Sequence, residues 1–163
     1  MAEGKTPANL LFLREEDLRQ GIELLFYAYR DFTAEADAML AELGFGRAHH
    51  RVIYFVGRKP GMTVSELLDI LKITKQSLSR VLGQLVRESY IVQRPGTADR
   101  HQRLLELAPK GAELERRLTE DQRALVARAY RAAGAESVDG FRRVLLGLVN
   151  EADRGRFAGA PRR

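Results

Sequence analysis

The 163-residue sequence predicts a mainly α-helical fold that carries one two-stranded β-hairpin. Three observations predict it. Apolar residues recur at steps of three and four along most of the chain. Gly, Pro and N-cap residues fall between the periodic segments, where helices should start and stop. One turn-rich stretch, PGTADRH, separates two short β-like runs.

The first periodic segment is the longest. Leu18, Ile22, Leu25, Tyr29, Phe32, Ala36, Met39 and Leu43 form a sustained seam, so a helix is expected from Glu15 to Leu43 with Gly44 as its stop. Such a helix would be ~43 Å long, too long to bury its seam within one small domain. A second copy of the chain is expected as its partner, in preference to a long core helix within one compact bundle, with Leu18, Ile22 and Leu25 then in the dimer interface. GRAHHRVIYFVGRKPGM reads as a second helix closing at Gly57 and Pro60, with Ala48, Val52, Ile53, Phe55 and Val56 buried. His49 and His50 invite a metal reading. Adjacent residues point about 100° apart on a helix, and no cysteine or carboxylate cluster completes a site, so no metal is expected.

TVSELLDILK opens with Thr63 as N-cap and Glu66 three residues on, a capping box. Val64, Leu67, Leu68 and Leu71 are its apolar face. After a very short turn, ITKQSLSRVLGQLVRES begins a further helix with Thr74 as N-cap. Its stripe is Leu78, Val81, Leu82 and Leu85, which leaves Lys75, Gln76, Ser79 and Arg80 outside near the N-terminal end. Two short helices joined by a tight turn, the second polar at its start, form the helix-turn-helix pattern. The runs beginning YIVQR and QRLLELA follow with PGTADRH between them, a hairpin in the position of a wing. Pro109 to Ala133 reads as a charged helix. A last helix, capped by Ser137, is expected to carry Val138, Phe141, Leu145, Leu148 and Ala152. Phe141, Leu145 and Leu148 join the expected dimer interface, and the tail RGRFAGAPRR is expected to fray.

Composition narrows the function. With 45% hydrophobic and 30% charged residues the chain is globular. It has no cysteine, which excludes disulfides, zinc thiolate sites and thiol redox switches. No run of 18 apolar residues occurs, and MAEGKTPANL lacks the pattern of a signal peptide, so a cytoplasmic protein is expected. The net charge of +5 is unevenly spread. Residues 1–44 hold 4 Lys/Arg against 9 Asp/Glu, residues 45–110 hold 12 against 5, and residues 111–163 hold 11 against 8. The positive charge thus sits on the helix-turn-helix and hairpin, as expected of a polyanion binder. The major groove of DNA admits a helix whose Gln and Arg side chains can pair with adenine and guanine. No Ser-His-Asp order or Gly-rich phosphate loop supports an enzyme, and GRKPGM lacks the Walker spacing. No cofactor is expected. The alternative is a helical module that binds protein without reading DNA.

The stretch from Thr63 to Gly111 resembles the winged helix-turn-helix of the MarR family of bacterial regulators. TVSELLDILKI, TKQSLSRVLGQLVRESYIVQR and DRHQRLLELAPKG carry the resemblance. The opening LREEDLRQGIELLFYAYRDFTAEAD resembles one alphaproteobacterial subgroup. The likeness implies a single MarR-like domain over 1–163, with a DNA-binding lobe at 45–110 and dimerisation helices at 10–44 and 111–155. It implies a homodimer on a palindromic duplex operator. Thr63, Ser65, Thr74, Lys75, Gln76, Ser77, Ser79 and Arg80 are expected at DNA, with Arg94, Thr97, Arg100, His101 and Arg103 in the wing and Asp99 orienting the wing arginines. It further implies a small-molecule effector pocket, for which Tyr29, His49, His50 and Tyr54 are candidates. The chain departs from the family at three places. His101 stands where the family's Asp-x-Arg wing has its arginine, so Arg100 is expected to supply the main wing cation. Ser89 replaces a helix-ending glycine, and Ala108 replaces a capping threonine.

Overall fold

The computed structural model describes residues 7–158; the last five residues of the tail lie outside them. The backbone packs as two compact units, Met1–Gln122 and Arg123–Arg163. In the first, a 3-10 turn over Pro7–Leu13 leads into α1 (Glu15–Glu42), α2 (Arg47–Arg58), β1 (Met62–Thr63), α3 (Val64–Leu71), α4 (Lys75–Arg87), β2 (Ile91–Pro95), β3 (Arg103–Leu107) and the start of α5 (Pro109–Ala133). The second contains the end of α5, α6 (Ala135–Leu148), α7 (Glu151–Arg154) and a 3-10 turn at Gly155–Phe157. No described helix is long and apolar enough to cross a membrane.

The seam of α1 divides. Its last turns pack into the core through Thr33, Ala36 and Leu40, with Met39 partly buried beside them; Ala36 and Met39 lie on the expected seam, while Thr33 and Leu40 extend it by one residue. Thr33 is buried at no polar cost because its hydroxyl donates to the Tyr29 carbonyl, 2.8 Å away. Farther toward the N-terminus, Leu18, Ile22, Leu25 and Phe26 stay exposed at 47, 67, 48 and 64%. Gly44 ends the helix as expected, with φ of 74°.

The core of the first unit gathers Val52, Ile53 and Val56 of α2, Leu67 of α3, the full stripe Leu78, Val81, Leu82 and Leu85 of α4, Leu105 of β3, and Leu114 and Leu118 of α5. The wing is more than the expected hairpin. Met62 and Thr63 pair antiparallel with Leu105 and Leu104, giving a three-stranded sheet in the order β1-β3-β2. Met62 is buried, and Gly61 N–H donates to the Leu105 carbonyl at 2.8 Å. Two residues are too short a run for alternation to mark them as a strand. The capping box at Thr63 is half formed. Thr63 Oγ1 accepts from Glu66 N–H at 3.1 Å, while the Glu66 carboxylate turns instead to Lys59 Nζ at 2.6 Å.

Ser89 adopts φ of 66°, the left-handed conformation that glycine takes without cost. Its N–H donates to the Val86 carbonyl, and Tyr90 N–H reaches back to Leu85 at 2.8 Å, which closes α4 in a Schellman turn. Relief of the side-chain strain should outweigh the greater freedom glycine gives the unfolded chain. Ser89→Gly is therefore expected to raise stability by about 0.5–1 kcal/mol, read as a higher urea midpoint with unchanged slope. A lower midpoint would show that Ser89 holds its turn by a contact that outweighs the strain.

The second unit corrects two expectations. Ser137 is not the cap of the last helix: α6 starts two residues earlier, with Gly134 as N-cap at φ of 87°. The stripe does not run on to Ala152 in one helix, because α6 ends at Leu148 and α7 begins after the extended Val149 and Asn150. Tyr130 of α5 meets Phe141 of α6 edge-on at 6.2 Å. Phe141 and Leu148 remain 47 and 63% exposed, while Leu145 is half-buried.

Candidate nucleic-acid interface

The helix-turn-helix is set by backbone conformation at two places. Lys72 takes φ of 51° after α3 and reverses the chain within three residues. Thr74 then caps α4: its Oγ1 accepts from Ser77 N–H at 3.1 Å, and its hydroxyl donates to Ser77 Oγ at 2.9 Å. Thr74 and Ser77 thus satisfy each other, and Ser77 is half-buried. Their first task is to start the helix. Lys75, Gln76, Ser79 and Arg80 are exposed together, one helical turn apart, opposite the buried stripe. Ser65 is exposed on the first turn of α3, and Thr63 is half-buried with its oxygen engaged in the cap.

The wing tip is built from backbone. Gly96 N–H donates to the Gln102 carbonyl at 2.9 Å, and Gln102 N–H to the Asp99 carbonyl at 3.2 Å. Gly96 is buried, and a Cβ there would run into the Asp99 carbonyl oxygen. Asp99 has a different role from the expected one. Its Oδ1 accepts from the His101 backbone N–H at 2.9 Å, so it fixes the turn and not an arginine side chain. Arg94 lies on β2 away from the tip, with its Nε 3.4 Å from Glu106 across the strands. Thr97, Arg100, His101 and Arg103 are exposed at or beside the tip.

Of the four candidate pocket residues, His49 has a hydrogen-bond partner on α4, whereas the contacts of the other three lie off that helix. Tyr29 belongs to a polar group with Arg47, Arg51 and Asp37, and the charges of Asp37 and Arg51 also act on the His50 imidazole. Arg51 Nη2 donates to the Tyr29 hydroxyl at 3.1 Å, and Arg47 lies 5.5 Å from the Tyr29 ring while Nε donates to Asp37 at 3.1 Å. Tyr54 packs edge-on to Phe55 at 5.2 Å. His49 points elsewhere, toward Gln84 of α4. Gln84 was not legible as the partner of His49, since a lone Gln beside an apolar stripe looks like a solvated residue. Among the described residues, no group of three His, Asp or Glu could hold a metal.

His50 is half-buried. Desolvation lowers its imidazole below the ordinary range, Asp37 and Glu115 pull it upward, and Arg51 adds to the lowering. Unfolding returns the ring to water, so in mild acid the unfolded chain binds more protons. Stability is then lost as pH falls through the ordinary histidine range toward the lowered folded value. His50→Gln is expected to lose less stability than the parent between pH 7.5 and pH 5, as measured by urea midpoints; parallel curves would contradict this.

A protein from Rhodobacter capsulatus described as HTH-type transcriptional regulator PetP is 49% identical over 156 residues, 94% of each chain. A MarR-family sequence model matches residues 43–101. The chain belongs to the MarR family. Solved structures share its fold. Streptococcus pneumoniae FabT, crystallised in complex with DNA, superposes with a TM-score of 0.71 at 21% identity, covering 81% of this chain and 94% of that one. NadR in complex with 4-hydroxyphenylacetate gives a TM-score of 0.65 at 18% identity, covering 76% and 88%. Within this MarR fold, α4 is the second helix of the motif and β2–β3 the wing. Its tip carries Asp99, Arg100 and His101 in succession.

Proposed function

We propose that this MarR-family chain is a cytoplasmic homodimer that regulates transcription by reading a palindromic site in double-stranded DNA. One observation carries the reading: Lys75, Gln76, Ser79 and Arg80 stand exposed on the first turns of α4 while its opposite face is fully committed to the core. A helix buried along one side turns the other outward, and its first turns are those that reach base edges. The basic wing follows directly from its end. Dimerisation is supported by the uncovered apolar residues of α1, which would otherwise face water over several turns. A small-molecule effector beside Tyr29 and His50 is supported by the Arg51 and Arg47 cations grouped around that phenol.

The test is selection of duplexes from a randomised pool by the full chain. The expected product is an inverted repeat with half-sites about one helical turn apart, bound with a steep inverse dependence on salt. Sedimentation equilibrium is expected to give about twice 18.4 kDa. Failure to enrich any sequence, with no salt-dependent duplex binding, would overturn the reading in favour of a protein-binding module.

The wing gives a sharper expectation. Arg100 offers an exposed guanidinium at the tip, and narrow minor grooves concentrate negative potential that attracts such cations. Arg100→Ala is expected to weaken binding to the selected duplex and reduce the salt slope by about one unit, while His101→Ala at pH 7.5 does less. Binding isotherms at several salt concentrations decide it. A larger loss from His101→Ala would return the contact to the family's usual position.

A further inference from the structure

The far end of the recognition helix is held by a contact that DNA reading does not itself require. His49, on the first turn of α2, receives the Gly46 backbone N–H on Nδ1 at 3.0 Å. Nδ1 therefore carries no proton, and the ring's N–H sits on Nε2, aimed at Gln84 Oε1 of α4 at 2.8 Å. The imidazole is stacked on Phe45, with centroids 4.7 Å apart and planes 18° from parallel. Phe45 is itself buried and meets Tyr90, just beyond α4, edge-on at 5.1 Å. Both ring nitrogens and one ring face are thus committed.

We propose that His49 is a positioning residue for DNA reading: its imidazole bridges α2 to Gln84 and sets the tilt at which the first turns of α4 meet the duplex. The remaining anchors of α4 in the core are apolar, and apolar contact is non-directional, so it tolerates small rotations. A hydrogen bond is directional and fixes both angle and distance. Gln84 lies eight residues from Gln76, ~12 Å along the axis. A tilt of about 5° there would carry the polar end through ~1 Å, more than the roughly 0.5 Å within which a binding constellation must be held. The tie is also local to α2, so a change in the first turn of α2 would be felt at the DNA-facing end of α4.

This inference rests on the DNA reading above, and the experiment separates the two. Affinities for the duplex selected by the parent chain are measured for His49→Ala, Gln84→Met, the double variant and Gln84→Glu, with circular dichroism confirming that each is folded. His49→Ala and Gln84→Met should each bind about tenfold more weakly, the size of one lost hydrogen bond. The double variant should be no weaker than either single one, because both remove the same bond. Gln84→Glu keeps an acceptor and should stay within about threefold of the parent. Gln84 is half-buried, so its variants keep the test open even if His49→Ala does not fold. Parent-like affinity in Gln84→Met, additive losses in the double variant, or an equal loss in Gln84→Glu would overturn the inference alone. A parent chain that retains no duplex would overturn the DNA reading and this inference with it.

Discussion

Gly111→Ala is expected to destabilise the first unit by about 3 kcal/mol, although alanine is the better helix former by 0.5–1 kcal/mol. Gly111 is buried on the first turn of α5, where an added Cβ would overlap the Tyr90 carbonyl oxygen and approach its carbon to 3.0 Å. That carbonyl cannot retreat. It accepts the Ala108 N–H at 3.0 Å, and Tyr90 N–H is tied to Leu85 at 2.8 Å. Lys110 closes the same corner, with Nζ 3.1 Å from the Glu88 carbonyl and 4.4 Å from the Tyr90 ring centroid. Relief would require α5 to lift from the end of α4, losing the Ala108 bond and part of the packing of Leu114 and Leu118. Urea unfolding of the two chains gives the answer by sign alone: a stabilised Gly111→Ala chain would mean that the corner yields.

Arg80→Ala is expected to cost about 1–3 kcal/mol of discrimination on the selected duplex and to relax preference at one position in each half-site. Arg80 is exposed on the face shared with Gln76, one turn away, and its aliphatic stem is not needed by the buried stripe, so folding should be little affected. The measurement is a set of affinities for the selected duplex and its single-base variants, each against parent and mutant chains. Equal loss on every sequence would reassign Arg80 to a phosphate.

Much of this was legible in the sequence because the determinants are local. Thr63 and Thr74 announce their helices by side-chain chemistry, and both caps form. The stripe of α4 is buried at every expected position, since 3.6-residue periodicity survives wherever one face meets a core. Ser89 departs from glycine in the sequence and shows the strain that departure implies. What was not legible depends on distant partners. Met62 and Thr63 become a strand only because β3 lies alongside. The α1 seam looks uniform in sequence, yet only its last turns meet the core in this chain. Asp99 holds the His101 backbone N–H, and His49 joins the Gly46 N–H to Gln84 on another helix. Spacing could mark them as polar but not say what they hold. The break after Leu148 is flanked by Gly147 and Asn150, but the apolar spacing runs on past them to Ala152 and hides the signal.

The strand order β1-β3-β2 has a bearing on how copies of this protein behave when crowded. β3 is paired on both sides, so the sheet offers neighbours only its two margins. One margin is a two-residue strand, too short to template another chain. The other is β2, where Arg94 places a cation and Pro95 removes an amide hydrogen from the outer ladder. Both margins are therefore poor seeds for intermolecular sheet growth. The same arginine and proline that lead into the wing also act as gatekeepers against aggregation, which lets a β-hairpin project from a helical protein without making it sticky.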